Sequence, residues 1–451
     1  MTLLILIHAL IFLAFWLTNL PYQATLNNFL IGATGMRANF LLILMVFAGL
    51  VALWSALRRH ARRTGPAWLY FAVGGFFLVF FYASFSFLFI KNPVQLYRLG
   101  QLFLYFRVVI DAGLLVFLAW NLRRWVKIDR RLKNVILPAG LLVLWLIPVF
   151  WVPGNVYRGA LPEKPRVIAH RGASTLAPEN TLAAMRAAAD LGVYGLETDI
   201  SVSLDGVLLL MHDANLARTT DVAHLFPGRE DDLAENFTWD ELSRLDAGSW
   251  FAGRTTFAGE PIPDLAALLP VIKEKQLYLI YDLRIPSAGH PYTDRAVDLC
   301  LEAIREAGLA DHTWVLADPQ VVARVQSDLP NAILAAGIGY TDVPPTPEAL
   351  VAGGYQVVNS VYSLSERMIH AYQKAGLWVN LWLVDEPWQY ARLWLAGANS
   401  VTSNNSPGLL AMPAPALALP YGIYLLVWGC VGLVAAGVYG WTMRRCSPSN
   451  K

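Results

Sequence analysis

Cysteine and charge are both scarce in this chain, and each scarcity excludes something. Three cysteines, Cys300, Cys430 and Cys446, stand far apart, two of them in or beside an apolar C-terminal stretch. That pattern excludes a disulfide framework and a Cys-based metal site. Charged residues make up 15% of the 451 residues and hydrophobic ones 56%, too apolar for an ordinary soluble protein. A net charge of +2, with no Lys/Arg-rich face, gives no reason to expect a nucleic-acid partner. Also missing is any Ser-His-Asp or Cys-His arrangement for acyl transfer.

What is present in excess is long apolar runs, each near the ~20 residues needed to cross hydrocarbon. They cover Leu3–Leu20, Phe40–Leu57, Trp68–Ile90, Phe103–Leu122, Val135–Val152 and Leu417–Met443. The expected architecture is five spans over 1–152, a water-soluble domain over 153–415, and a sixth span with a short tail over 416–451. Basic residues in the short loops set the orientation. Arg58, Arg59, Arg62 and Arg63 follow the second span, Arg123, Arg124, Lys127, Arg130, Arg131 and Lys133 the fourth, and Arg444 and Arg445 the sixth. Those loops face the cytoplasm on this reading, so both termini lie inside and the soluble domain outside, in an integral protein of the cell membrane. The first segment lacks a basic n-region and a small-residue cleavage site, and reads as an uncleaved helix. Arg107 and Asp111, one helical turn apart in the fourth span, read as a mutually neutralising pair near the outer interface.

Within 153–415, strand-like runs recur at Val167–His170, Leu196–Val202, Val207–His212, Leu277–Leu283, Thr313–Leu316, Ile333–Ile338, Val357–Val361, Val379–Val384 and Ser400–Thr402. Most are separated by helix-length segments, as a (β/α)8 barrel of roughly 250 residues requires. Nine runs exceed eight, and Asp205-Gly206 leaves no room for a helix between the second and third, so one run is a hairpin partner or an irregular barrel strand.

Polar residues fall at the C-terminal ends of these runs, where barrel enzymes place their chemistry. His170-Arg171 ends the first, Glu197 and Asp199 lie in the second, His212-Asp213 ends the third, and Asp282 with Arg284 ends the fourth. Period-two alternation puts Glu197 and Asp199 on one face of a strand. With Asp282 they offer an all-oxygen site suited to Ca²⁺ or Mg²⁺. His170 and His212 suit general acid and base, because an imidazole titrates near neutrality. Arg171 and Arg284 suit phosphate oxygens, which a guanidinium grips with forked donors. Together these residues fit hydrolysis of a phosphate ester.

An ordered set of motifs then carries a resemblance: His170-Arg171-Gly172, Pro178-Glu179-Asn180-Thr181, Glu197-Thr198-Asp199, Asp205-Gly206, His212-Asp213, Thr219-Thr220, Leu245 to Phe251, Ile262-Pro263 and Trp382-Leu383-Val384-Asp385. Through them the chain resembles the glycerophosphodiester phosphodiesterase family over nearly all of 166–410. The resemblance implies a phospholipase C-like (β/α)8 barrel that uses Ca²⁺ or Mg²⁺ to hydrolyse glycerophosphodiesters to glycerol 3-phosphate and an alcohol. It implies His170 and His212 as the acid/base pair, Glu197 and Asp199 as metal ligands, Arg171 as a phosphate contact and Trp382 as part of the substrate-facing wall. The sequence departs from the family's usual Glu-Ile-Lys at Asp282-Leu283-Arg284, and from Thr-Asp at Thr402-Ser403-Asn404-Asn405. Both departures and the five-plus-one spans are similar to the six-pass ecto-phosphodiesterases of animals.

Two other functions fit parts of the sequence. A barrel tethered to a bilayer suits phospholipase C- or D-like cleavage of membrane lipids or glycolipid anchors. The changes at Asp282 and Asn405 suit a non-enzymatic receptor or binding module. Residues 213–261 are too long for a plain connection and read as an insertion shaping the mouth. Thr238-Trp239-Asp240-Glu241 within it has the form of a capping box, and Phe237, Trp239, Trp250 and Phe251 read as its packing.

Overall fold

The structure, a computed structural model, describes residues 105–125, 130–150, 152–251, 255–339 and 342–445, together with Val46 and Leu50. The chain divides into two compact units, Met1–Gln101 and Leu102–Lys451. Of the first only Val46 and Leu50 are described, both helical and exposed. The spans expected at Leu3–Leu20 and Trp68–Ile90, nearly all of Phe40–Leu57, and the arginines at 58, 59, 62 and 63 therefore lie outside the described residues.

The second unit opens with two helices, α1 (Arg107–Trp125) and α2 (Arg130–Phe150). Eight parallel strands follow: β1 (Arg166–His170), β2 (Gly195–Val202), β3 (Tyr278–Leu283), β4 (Thr313–Leu316), β5 (Ile333–Ile338), β6 (Val357–Val361), β7 (Trp378–Trp382) and β8 (Ser400–Ser403). Each pairs with the next, and β8 pairs back onto β1, which closes the barrel. After the strands come, in turn, helices α3 (Leu182–Asp190), α4 (Leu265–Lys275), α5 (Ala296–Ala307), α6 (Pro319–Asp328), α7 (Pro347–Ala352), α8 (Glu366–Lys374), α9 (Pro387–Leu395) and α10 (Ser406–Leu410). The ninth strand-like run resolves as a hairpin partner. Leu208–Leu210 runs antiparallel to the end of β2, with Val202 opposite Leu208.

Local chemistry explains where the helices start. Thr181, Asp264, Thr346 and Ser365 each accept a hydrogen bond from a backbone N–H in the first turn of α3, α4, α7 and α8. Proline occupies the first turn of α6, α7, α9 and α10, where its missing N–H costs nothing. Outward-facing strand residues such as Leu196, Ile200, Leu279 and Val315 pack against these helices in one core. Inward-facing Ile168, Ile280, Trp314, Ala335 and Val357 form a second, narrower core. Below it Tyr194, Tyr278, Trp314 and Trp378 meet ring to ring, with Tyr194 stacked on Tyr278 at 4.7 Å, and close the barrel floor.

The insertion carries a small core of its own, with Phe237 and Leu242 fully buried beside Val222, Leu245 and Ile262. The capping box forms as the sequence implies. Thr238 accepts from the Glu241 N–H while the Glu241 carboxylate accepts from the Thr238 N–H at 2.9 Å.

A neck links the barrel to its helices. Val156–Tyr157 pairs in parallel with Leu419–Pro420, the Asn155 amide donates to the Leu417 carbonyl at 2.9 Å, and Lys164 Nζ donates to the carbonyls of Leu410 and Met412. From the neck α11 (Tyr421–Arg445) runs beside α1 and α2, burying Tyr424, Trp428 and Ala435 against Leu115, Ala119 and Leu141. Trp145 and Trp428 each donate an indole N–H to the other's carbonyl, at 3.0 and 2.7 Å. On the outer side of α11, Leu426 and Leu433 are 72% and 75% exposed, so apolar side chains lie on its exposed side as well as its buried one. Among the described residues Tyr421–Trp441 is the one helix long and apolar enough to cross a membrane, and Asn134–Phe150 is a shorter apolar one. Arg107 and Asp111 form the expected ion pair, at 2.9 Å.

Replacing Thr238 by Ala removes the cap that starts the insertion's helix and should lower stability by about 1 kcal/mol. Thermal unfolding of the detergent-purified protein measures this, and Thr238→Ser should retain most of the wild-type melting temperature.

Candidate functional site

The barrel register sets the site. His170 at the end of β1 lies level with Glu197 on β2, and one step further up Asp199 lies level with Asp282 on β3. All four side chains stand on the inward set of alternating positions, above the apolar layer of Ile168 and Ile280. Immediately after β1 the chain turns sharply through Arg171 and Gly172, at φ of 56° and 80°. Gly172 is needed there, because a Cβ would lie 2.6 Å from the Ala184 backbone of α3 as well as sitting in the left-handed region. Arg171 has no such licence. Its left-handed backbone aims the N–H at the Glu197 carboxylate, 3.1 Å away, and turns the guanidinium back over the mouth.

Carboxylates crowd this mouth. Burial and the neighbouring Asp199 push the Glu197 carboxyl well above its ordinary range, against the pull of Arg171. Burial and the same Asp199 also raise Asp282, against Arg284 and His212. Asp199, only 2% exposed, is paired with Arg171 at 3.0 Å and Arg284 at 3.6 Å, and accepts from the Asn180 amide at 3.1 Å. Arg171 in turn donates to Glu179 at 2.8 Å. Arg218 donates to the same Glu179 and also to Asp213, which lies 2.6 Å from His212 Nδ1. One run of alternating charge therefore joins Asp213, Arg218, Glu179, Arg171 and Asp199, with His212 against its outer end.

The two histidines have unlike partners. Burial, then the charge of Arg171, lower the proton affinity of His170, whose Nδ1 lies 2.7 Å from the Asn404 side-chain oxygen and whose Nε2 lies 3.8 Å from Glu197. His212 leans on a carboxylate. Burial alone would raise Asp213, but hydrogen bonds from Arg218 and His212 outweigh it and hold its carboxyl at about 2. On the far side of the barrel Trp382 ends β7 and donates its indole N–H to the Asn359 carbonyl at 3.3 Å. Beneath it Asn380 donates to Asn359 and Thr402, filling the interior with satisfied polar groups.

The residues expected from sequence thus converge, and the structure shows what each is engaged with. Arg171, expected on phosphate, is held by Glu179 and Asp199. Asp199, expected on a metal, is held by two arginines and an amide. No group of three His, Cys, Asp or Glu side chains among the described residues is spaced to hold a metal ion. Glu197, Asp199 and Asp282, the all-oxygen set expected to hold a hard cation, do lie close enough at the barrel mouth to bear on one another electrostatically. Residues without an assigned role in the sequence reading are Arg218, Asp385 and Asn404. Arg218 directly precedes the Thr219-Thr220 motif, and nothing in spacing marks it as a bridge, because Asp213 is five residues away but Glu179 is 39.

A model described as the Glycerophosphoryl diester phosphodiesterase family matches residues 170–407. The chain is 36% identical over 307 residues to a glycerophosphoinositol inositolphosphodiesterase of Mus musculus, covering 64% of this chain and 55% of that protein. It is 35% identical over 295 residues to the glycerophosphodiester phosphodiesterase domain-containing protein 5 of Mus musculus, covering 61% of this chain and 47% of that one. The chain thus spans about half the length of these relatives. A crystal structure of glycerophosphodiester phosphodiesterase from Agrobacterium tumefaciens aligns at 23% identity and a TM-score of 0.46, over 55% of this chain and 100% of that one.

The charged run predicts an acid-dependent stability. Asp213 is held below the ordinary carboxylate value of ~3.9, so its contribution is present above roughly pH 4 and fades as pH falls toward about 2. Arg218→Ala removes the donor that depresses both Asp213 and Glu179. The variant should melt below wild type at neutral pH, and the gap between the two melting temperatures should narrow as pH is lowered from 7 toward 3.

Proposed function

Because this chain belongs to the glycerophosphoryl diester phosphodiesterase family, we propose that its barrel hydrolyses glycerophosphodiesters to glycerol 3-phosphate and an alcohol. The observation that carries the reading is the convergence of two differently partnered histidines, His170 and His212, with Arg171, Arg284 and three carboxylates at one barrel mouth.

His170 is the base in this proposal. Its Nδ1 is occupied by Asn404, its Nε2 faces the site, and burial beside Arg171 disfavours the protonated ring, so it is ready to take a proton from the attacking oxygen. His212 is the acid in this proposal, its ring held in place by the Asp213 carboxylate at Nδ1. Arg284 donates to the phosphate oxygens, and Arg171 joins it once a phosphate competes with Glu179 and Asp199 for its guanidinium. Trp382 supplies an apolar wall for the glycerol or alcohol portion.

Glu197, Asp199 and Asp282 would hold a divalent cation, Ca²⁺ or Mg²⁺. A bound cation of this kind supplies charge for the phosphate oxygens as the transition state develops. Its binding would also offset the burial and like-charge crowding that raise Glu197 and Asp282. We further propose that residues 1–152 form five spans and 416–451 a sixth, with the barrel of 153–415 outside the cell membrane and both termini in the cytoplasm. Support comes from the apolar runs, the basic loops and the apolar helix over Tyr421–Trp441.

The test is product release from glycerophosphocholine and glycerophosphoinositol by the detergent-purified chain. Expected is glycerol 3-phosphate, lost with EDTA, with kcat reduced about 10²- to 10⁴-fold by His170→Ala or His212→Ala. Added Ca²⁺ or Mg²⁺ should raise the melting temperature of wild type and not that of Glu197→Gln with Asp199→Asn. Free glycerol in place of glycerol 3-phosphate would reassign which phosphorus–oxygen bond breaks. No product from any diester would overturn the reading.

A further inference from the structure

Asp385, in the loop after β7, is the fixed point of a short polar relay. Its carboxylate accepts from the Asn404 backbone N–H at 2.8 Å, from the Asn404 side-chain NH₂ at 2.9 Å and from the Ser403 hydroxyl at 3.2 Å. An ionised carboxylate only accepts, so the NH₂ end of the Asn404 amide must face Asp385. The amide oxygen then points the other way. It lies 2.7 Å from His170 Nδ1 and also accepts from the Ser174 hydroxyl at 3.2 Å.

That order of donors decides the histidine's tautomer. An amide oxygen accepts only, so His170 Nδ1 must carry the hydrogen, and in the neutral ring Nε2 is bare. Nε2 is the atom turned into the site, 3.8 Å from Glu197. The flipped amide would set its oxygen against the Asp385 carboxylate, a repulsive contact, and its NH₂ against a Nδ1 that would then have to accept, which gives the opposite tautomer. We propose that Asn404, oriented by Asp385, is the positioning residue that keeps His170 in the tautomer with a bare Nε2. The proposal rests on reading His170 as the base.

Simple stapling of the loops does not account for the relay, because other bonds do that. The Asn405 amide donates to the Asp385 carbonyl at 3.1 Å, its oxygen caps α10 through the Gly408 N–H, and Val384 donates to the Thr402 carbonyl at 3.0 Å. A neutral amide next to His170 also fixes the ring without adding a charge to a mouth already crowded with carboxylates.

The full-length detergent-purified chain, assayed on glycerophosphocholine, separates positioning from structure. Asn404→Leu should lower kcat roughly 10- to 100-fold with KM and melting temperature near wild type. Asp385→Asn should do the same by letting the amide flip. Combining Asn404→Asp with Asp385→Asn puts the acceptor-only group against Nδ1 and a donor behind it, and should restore part of kcat above either single variant, short of wild type because it adds a charge beside His170. Wild-type kcat in Asn404→Leu, parallel loss of kcat, KM and melting temperature, or a double variant no better than either single one would overturn the proposal. The ¹⁵N spectrum of histidine-labelled protein at alkaline pH, with His170 assigned through His170→Gln, reads the tautomer without any turnover. Wild type should show a protonated Nδ1 and a bare Nε2, and Asn404→Leu should shift toward the protonated Nε2 form. Absence of activity in wild type with that spectrum intact sinks the functional reading alone, while an unchanged spectrum in Asn404→Leu sinks this inference.

Discussion

Glu197, Asp199 and Asp282 meet at the mouth of a closed barrel, where an ionised group is costly unless something pairs with it. The surrounding residues are arranged around that cost. Arg171 takes up a left-handed backbone and presents both its N–H and its guanidinium to the acidic strand. Glu179 then neutralises what Arg171 has to spare, and Arg218 ties Glu179 to Asp213 and so to His212. Asp199, Arg171, Glu179, Arg218 and Asp213 are each pinned by a partner of opposite sign, so the geometry of this run depends on Arg171 keeping its place between Glu179 and Asp199.

This constraint also separates the two histidines. His212 stands at the outer end of the charged run with a carboxylate behind it, whereas His170 sits deeper, beside Arg171, with an amide behind it. Two imidazoles in one pocket thereby acquire different hydrogen-bond partners at Nδ1, an amide for His170 and a carboxylate for His212, without any difference in residue type. The left-handed Arg171 and the close approach of Gly172 to α3 are the backbone expression of the same constraint.

The barrel supplies rigidity for this arrangement. Its floor is closed by stacked aromatic rings and its interior by the Asn359, Asn380 and Thr402 hydrogen bonds, so the mouth rests on filled layers with satisfied polar groups. The neck at Val156–Tyr157 and Leu419–Pro420 joins both chain crossings at one point, which couples α2 and α11 to the barrel through paired backbone.

Much of this was legible in the linear chain. Period-two alternation placed Glu197 with Asp199 and marked the strand ends, and Thr238-Trp239-Asp240-Glu241 announced its capping box, because these are patterns between near neighbours. The surplus strand-like run was equally visible, but only strand pairing decided that Leu208–Leu210 turns back on β2. Arg218, Asp385 and Asn404 were different: each matters through a partner brought near by the fold, Asn404 meeting His170 across 234 residues by barrel closure, Arg218 meeting Glu179 across 39 and Asp385 meeting Asn404 across 19. The sequence by itself determined the barrel's strands and the chemical inventory of its mouth, since both follow from local spacing. Which arginine offsets which carboxylate, and which nitrogen of His170 faces the site, only the tertiary structure decided, because those are properties of long-range pairing.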